Sequence, residues 1–174
     1  MRSTNKYEVC GTTVYVDLCN GEKMICDLDD WENLKDMKWC KNCQGYAQTT
    51  TRGGRKGSKS ITFHSAIMKK NSGFVIDHIN RNRLDNRKEN LRYATKAENS
   101  INSQKVKSAS GIRGVYIDKR KRKKFISAIK ANGKVFRLGM FYTAEEAERA
   151  RKEAEISMYG EFSPHFSKVE LGRG

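Results

Sequence analysis

Phe74-Val75-Ile76-Asp77-His78-Ile79, followed by Leu91-Arg92-Tyr93-Ala94-Thr95-Lys96-Ala97-Glu98-Asn99, is the pair of segments that decides the fold of this chain. The first is a short apolar strand ending in two ionisable side chains. A polar loop, Asn80 to Glu89, is rich in Asn and Arg, and Leu91 to Ala94 reads as a second brief strand. Thr95-Lys96-Ala97-Glu98 has the spacing of a capping box, in which the hydroxyl and the carboxylate satisfy the free amides that open a helix. Asn99 therefore falls in the first turn of that helix.

A strand, loop, strand and helix in this order bring Asp77 and Asn99 toward one another, with His78 beside them. Carboxylate and carboxamide oxygens are hard ligands, suited to Mg²⁺ or Mn²⁺ rather than to zinc. An ion so held stabilises charge on a phosphate oxygen and a leaving oxygen as a bond breaks. A neutral histidine, with a reference pKa of about 6.5, takes a proton from an attacking water. These are the parts of phosphodiester hydrolysis. Taken alone, however, an Asp-His pair is more often structural than catalytic. Adjacent strand residues also point to opposite faces, so the two serve one site only where the strand ends or twists.

The segment from His64 through Asn102 resembles the HNH endonucleases of phage and homing type. The resemblance rests on Ile76-Asp77-His78-Ile79-Asn80, Asp85-Asn86, Glu89-Asn90-Leu91-Arg92 and Ala97-Glu98-Asn99. It implies a ββα-metal (His-Me finger) unit over about 74–102 that holds one divalent cation, Mg²⁺ or Mn²⁺. Asp77 is then the first metal ligand, His78 the general base, Asn90 the residue that braces the loop, and Asn99 the second metal ligand. Asn at position 99 makes this an HNN variant, which a subgroup of homing enzymes resembles. His64, in Phe63-His64-Ser65-Ala66-Ile67-Met68, matches a recurring family position and reads equally as structural, DNA-facing or a satisfied core histidine. Arg92 reads by default as solvated.

Downstream, residues 103–110 look like a linker. Three strands are expected beyond it, over 112–117, 125–131 and 134–138, the last two joined by the hairpin signal Asn132-Gly133. Thr143-Ala144-Glu145-Glu146 is a second capping box. It opens a helix whose Ala147, Ala150 and Ala154 form a small-residue stripe able to lie close against a sheet, or simply helix-forming alanines on an amphipathic face. Residues 111–163 resemble an AP2 DNA-binding domain in Arg113-Gly114-Val115, Lys124-Phe125, Ala128-Ile129, Leu138-Gly139-Met140-Phe141 and Thr143 to Ala147. That resemblance implies a three-stranded sheet in the major groove with a helix behind it. Arg113, Tyr116, Arg122 and Arg137 are then the base readers, and Lys119, Arg120, Lys124 and Lys130 the phosphate contacts.

Upstream, the first sixty residues read as short strands and turns. Thr13 to Leu18 alternates before the turn signal Asn20-Gly21, and Met24-Ile25-Cys26 returns. Asp29 or Asp30 is expected to cap a short helix through Trp31, Leu34 and Met37. A Gly-rich basic loop, Thr51 to Gly57, precedes Ile61 to His64.

Composition agrees with a polyanionic partner. The 174 residues hold 35 Lys and Arg against 20 Asp and Glu, a net charge of +15. The basic excess is two in residues 1–60, four in 61–102 and nine in 103–174, concentrated in the run from Lys119 to Lys124. Each phosphate neutralised by such a run releases counterions, although a solvated basic loop would also carry it. Five cysteines, an odd number, fit a reducing compartment better than a disulfide framework. Cys40 and Cys43 have metal-ligand spacing, but a structural Zn²⁺ would need two more ligands, so ordinary thiols are expected. With no apolar run of the ~20 residues that a membrane span needs and no signal-like segment after Met1, a soluble cytoplasmic protein is expected, in the host cell if phage-encoded.

The expected class is thus α+β. A small β-rich region leads into the nuclease unit (domain 1–102), followed by a linker (103–110), an AP2-like domain (111–163) and a tail (164–174). The expected substrate is double-stranded DNA, with no small-molecule substrate, acted on by a monomer or a homodimer. The competing readings are a non-catalytic sequence-specific DNA-binding protein on the same scaffold and a structured-RNA binder or nuclease.

Overall fold

Alternation in the N-terminal segment builds the largest core. The structure, a computed structural model, describes residues 4–52, 57–103, 108–120, 124–131 and 133–166. Strands β1 (Tyr7–Cys10), β2 (Thr13–Asp17) and β3 (Lys23–Asp27) form an antiparallel meander. Val14 pairs with Cys26 and Val16 with Met24, and all four side chains are fully buried on one face, as a period of two requires. Gly21, at φ 81, supplies the left-handed residue of the β2–β3 turn.

The helix that follows, α1 (Leu28–Leu34), starts earlier than expected: its N-cap is Asp27, while Asp29 and Asp30 lie in its first turn. Asp27 makes no side-chain cap bond because its Oδ2 accepts from the Lys88 backbone N–H at 2.8 Å. Trp31 enters the core, joined by Trp39, Ala47 and Phe63. The Trp39 and Phe63 rings meet edge to face at 4.8 Å. Burying each such large side chain stabilises by about 1.5–3 kcal/mol.

A second sheet contains β4 (Cys40–Lys41), β5 (Ala47–Arg52) and β6 (Ser58–Thr62), in the order β4-β5-β6. The expected loop from Thr51 is shorter than its sequence suggests, since Thr51 and Arg52 still pair with Lys59 and Ser58; residues 53–56 lie outside the described residues. Phe63 and His64 begin a short helix, α2 (Phe63–Ile67), rather than continuing a strand, so that Phe63 drops into the core. The cysteine expectation is also corrected. Cys19 and Cys40 form a disulfide, their Cα atoms 5.1 Å apart, because the end of the β2–β3 turn lies beside β4. Cys40 is thereby removed from any pairing with Cys43, which is a free, exposed thiol.

Strands β7 (Val75–His78) and β8 (Leu91–Ala94) make a two-stranded hairpin. A two-stranded hairpin is marginal in water, and here its connecting loop is fastened to β3. The Ile25 N–H donates to Leu84 O at 2.8 Å, and the Asn86 N–H donates to Ile25 O at 2.7 Å. Leu84 packs against the N-terminal core.

The chain divides into two compact units, 1–96 and 97–174. The second contains nearly all of α3 (Lys96–Asn102), then β9 (Val115–Asp118), β10 (Lys124–Ala131), β11 (Lys134–Phe141) and α4 (Ala144–Tyr159). The three strands are antiparallel in the order β11-β10-β9, and α4 packs on them. The capping box at Thr143 is complete, with the Glu146 N–H donating to Thr143 Oγ1 at 3.2 Å and Glu146 Oε2 accepting from the Thr143 N–H at 3.4 Å.

Strand β9 starts at Val115 rather than at Ile112, because residues before it form a turn in which Gly111 and Gly114 take φ 72. A Cβ on Gly114 would stand 2.7 Å from Ala128 O and 2.8 Å from the Arg151 guanidinium, so only glycine fits. Strand β11 runs on past Leu138 to Phe141 through an irregularity opposite Ser127 and Ala128. The core of this unit includes an ion pair that sequence patterning does not reveal. Arg151 is joined to Glu155 through Nε at 2.9 Å and Nη2 at 2.8 Å, both residues being buried, and its Nη1 donates to Ala128 O. The whole is a mixed α/β structure of small sheets and few helices. Among the described residues no helix is long and apolar enough to cross a membrane.

Candidate active site

Strand β7 ends at His78, and its last two residues are both buried: Asp77 is 5% exposed and His78 4%. Beyond His78 the chain turns at Arg81, whose φ of 66 makes it the one non-glycine residue with positive φ among those described, and whose N–H donates to His78 O at 2.9 Å.

Asn90 ties the ends of this loop together. Its Nδ2 donates to Asp85 O at 2.7 Å, its Oδ1 accepts from the Asn80 N–H at 2.9 Å, and its backbone oxygen accepts from the Ile79 N–H at 2.9 Å. Asp85, 3% exposed, accepts from Asn80 Nδ2 and, through both oxygens, from the Arg87 guanidinium at 2.8–2.9 Å. Burial works to raise the Asp85 pKa, but the Arg87 fork, the Arg87 amide and Asn80 outweigh it and hold the carboxyl below its usual range. The loop is thus closed by neutral bonds through Asn90 and charge-assisted ones through Asp85.

His78 stands in an aromatic box. His64 meets its ring edge-on at 5.2 Å and 89°, Tyr46 lies 5.8 Å away, and Tyr46 also meets His64 at 5.0 Å. The Arg83 guanidinium covers the Tyr46 ring at 4.8 Å and donates to Gln44 O. Asn86, fully buried, places Oδ1 3.4 Å from His78 Nε2. Burial lowers the His78 pKa; the bond to Asn86 and the charges of Asp77 and Asp85 push the other way, and Arg83 adds to the lowering. The net result is an imidazole held below its ordinary pKa. Burial, and secondarily His78, lowers His64 to about 4. His64 Nε2 lies 3.0 Å from Thr62 Oγ1, and its Nδ1 is buried with no hydrogen-bond partner among the described residues.

Asp77 faces Arg92 across the hairpin, and Arg92 is not solvated as its default reading has it. Its side chain is 13% exposed, with Nε and Nη2 both bonded to Asp77 Oδ2 at 3.0 and 2.9 Å. A cation on Asp77 would share that carboxylate with a guanidinium. Hard carboxylate chemistry fits a divalent ion, while no cluster of three His, Cys, Asp or Glu with metal-holding geometry occurs among the described residues. Asn99, half-buried on α3, belongs to the second unit, whereas Asp77, His78 and Asn90 belong to the first.

In the second unit the sheet face away from Ser127 and Ile129 is open. Tyr116, Ile126 and Met140 lie abreast across its three strands, with Arg137 opposite Ala128 and Val135 opposite Lys130. Tyr116 is 55% exposed, and Lys119, Arg120, Lys130 and Arg137 are all exposed. Lys124 Nζ sits 4.6 Å over the Tyr142 ring. Arg122 lies outside the described residues. Arg113 points elsewhere. Its Nη1 donates to Ile101 O at 2.6 Å and Ser103 O at 2.7 Å, and its Nη2 to Ser100 O at 3.4 Å.

Tyr46, Arg83 and Asn86 are site residues that sequence reasoning missed. Asn86 was within reach, lying in the quoted motif. Tyr46 comes from a different sheet and gave no signal.

Residues 70–101 match the family model described as HNH endonuclease. An uncharacterized HNH endonuclease of Acanthamoeba polyphaga mimivirus is 25% identical over 164 residues, covering 92% of this chain and 85% of its own. A solved structure concerning DNA binding and cleavage by the HNH homing endonuclease I-HmuI aligns over 88% of this chain and 84% of its own, at 17% identity and a TM-score of 0.34.

Proposed function

We propose that this protein is a divalent-metal-dependent, site-specific DNA endonuclease of the homing type, which hydrolyses phosphodiester bonds in duplex DNA. The observation that carries this reading is a buried His78 at a strand end, beside a loop braced by Asn90, inside the segment that matches the HNH endonuclease model.

In this reading His78 is the general base. With the Asn86 carboxamide oxygen facing Nε2, the ring is held as the Nε2–H tautomer, and Nδ1 takes the proton of the attacking water. Asn90 acts through the loop, fixing the chain that follows His78. Asp77 and Asn99 would hold Mg²⁺ or Mn²⁺, their oxygens being the hard donors such ions prefer. When bound, the ion supplies positive charge to the scissile phosphate and the leaving 3′ oxygen. Arg92 limits the freedom of the Asp77 carboxylate.

The second unit is proposed to hold duplex DNA in the manner of an AP2-like domain, with Tyr116 and Arg137 against base edges and Lys119, Arg120, Lys124 and Lys130 on phosphates. Arg122 completes this set from outside the described residues. One motif per chain makes a monomer a nicking enzyme and a homodimer a double-strand cutter.

Incubating supercoiled plasmid with Mg²⁺ or Mn²⁺ tests the reading. Wild-type protein yields nicked or linear DNA, and His78→Ala protein does not. Equal products from both would remove His78 from the mechanism. Plasmid binding without cleavage would favour a non-catalytic DNA-binding protein, and preference for duplex RNA over duplex DNA in competition would overturn the substrate.

A further inference from the structure

We infer that Arg113 is a positioning residue that locks the Asn99 helix to the DNA-holding sheet, so that it serves metal binding rather than base reading. This inference rests on the nuclease reading above, and it gives Arg113 a different role from the one its place in the AP2-like pattern implies.

The argument starts from α3. Seven residues make a two-turn helix, too short to persist in water by itself, and α3 buries only Asn102. Its last turn has no basic residue, so its closing carbonyls have no charged partner of their own. Arg113 supplies one from outside. The carbonyls of Ser100, Ile101 and Ser103 all accept from the one guanidinium, at 3.4, 2.6 and 2.7 Å. A positive charge at a helix C-terminus is favoured by the helix dipole. A planar fork also fixes direction as well as distance, which a lysine ammonium does not.

The other end of the strut is rigid. Ser108 Oγ and Ser110 Oγ donate to Ile112 O at 2.6 and 3.2 Å, close to Arg113. Gly114, the next residue, lies against Ala128 O and the Arg151 guanidinium with no space for a Cβ. Arg151 in turn is bound to Glu155 and to the β10 backbone. A contiguous path of packed groups therefore runs from the centre of the sheet, through Gly114 and Arg113, to the helix that carries Asn99. Displacing the sheet displaces the helix.

Two measurements on the full chain test this. In metal-free protein, hydrogen exchange at the amides of residues 100–103 should accelerate at least ten-fold in Arg113→Ala and less in Arg113→Lys, which keeps the charge and loses the fork. Unchanged exchange in Arg113→Ala overturns the strut. In plasmid cleavage, the Mn²⁺ concentration for half-maximal rate should rise about ten-fold in Arg113→Ala, while affinity for a mixed-sequence 30-base-pair duplex in EDTA stays within about two-fold of wild type. Lost duplex affinity with unchanged Mn²⁺ dependence makes Arg113 a DNA contact and overturns the inference. If wild-type protein does not cleave plasmid with either ion, the nuclease reading fails, and the exchange experiment still decides whether Arg113 holds α3.

Discussion

Each of the two units buries an arginine-carboxylate pair, and the two pairs are built to different ends. Arg151 and Glu155 lie one helical turn apart on α4, and the arginine is satisfied on three sides, twice by Glu155 and once by Ala128 O. Glu155 Oε2 also lies 3.6 Å from His165 Nε2. This pair is framework: it joins helix, sheet and the Gly114 turn. Arg92 and Asp77 sit on opposite strands of a hairpin, and the Arg92 Nε and Nη2 both bond one carboxylate oxygen. The same two functional groups therefore fix a core in one unit and hold a candidate ligand ready in the other. What differs is where each pair sits, on one face of a helix or across a hairpin, and which residue lies next in the chain.

The contrast can be broken most strongly at the residue next to Asp77. His78→Ala should lower the plasmid cleavage rate per folded molecule by roughly 10²–10⁴-fold, the span usual for a general base, while a urea melt registers the lost buried ring as about 1–3 kcal/mol. A wild-type rate at equal folded fraction would make His78 a core histidine instead. In the framework pair, Glu155→Ala leaves a buried guanidinium without its carboxylate and should cost about 3–5 kcal/mol of unfolding free energy. A cost under 1 kcal/mol would show that the pair does not fasten the sheet.

Asn90→Ala removes two loop-closing bonds and should destabilise by about 2–3 kcal/mol. The cleavage rate per folded molecule should fall alongside, and a wild-type rate at equal folded fraction would discount the brace. The smallest effect is a pH dependence. His64 takes its proton only near pH 4 in the folded state, whereas the unfolded chain takes it near 6.5. The unfolded state thus binds more protons between those values, and stability must fall as pH drops through that window, by on the order of 2 kcal/mol. His64→Phe, which keeps a ring in the aromatic box, should flatten that slope in urea melts from pH 7 to 4; an unchanged slope would place the titration elsewhere.

Much of the framework was legible because it depends on local pattern. The alternation in Thr13–Asp17, the Asn20-Gly21 turn and the Thr143 capping box each carry their geometry within a few residues. The strand containing Asp77 and His78 was equally plain. Tyr46 was different: it reaches His78 from 32 residues upstream, and no spacing rule marks an aromatic wall, whereas His64 stood out by resemblance but not by what its ring meets. In the second unit arginines read by default as exposed, so the buried Arg151 went unnoticed. Arg113 was assigned by the AP2-like pattern, which carries no sign of the backbone carbonyls that its Nη1 meets. The Cys19–Cys40 bridge was invisible for the same reason as Tyr46, since only the folded sheets bring those residues together.

The two backbone bonds that fasten the 80–90 loop to Ile25 have a consequence for anyone wishing to transplant the motif. A peptide cut to the segment matched by the family model would lack the edge it leans on, along with Leu84's apolar neighbours and the Asp27 carboxylate that receives Lys88. The matched segment is therefore not a cassette. It is closer to a keystone, whose shape is legible in isolation and whose rigidity is lent by the strands it leans on.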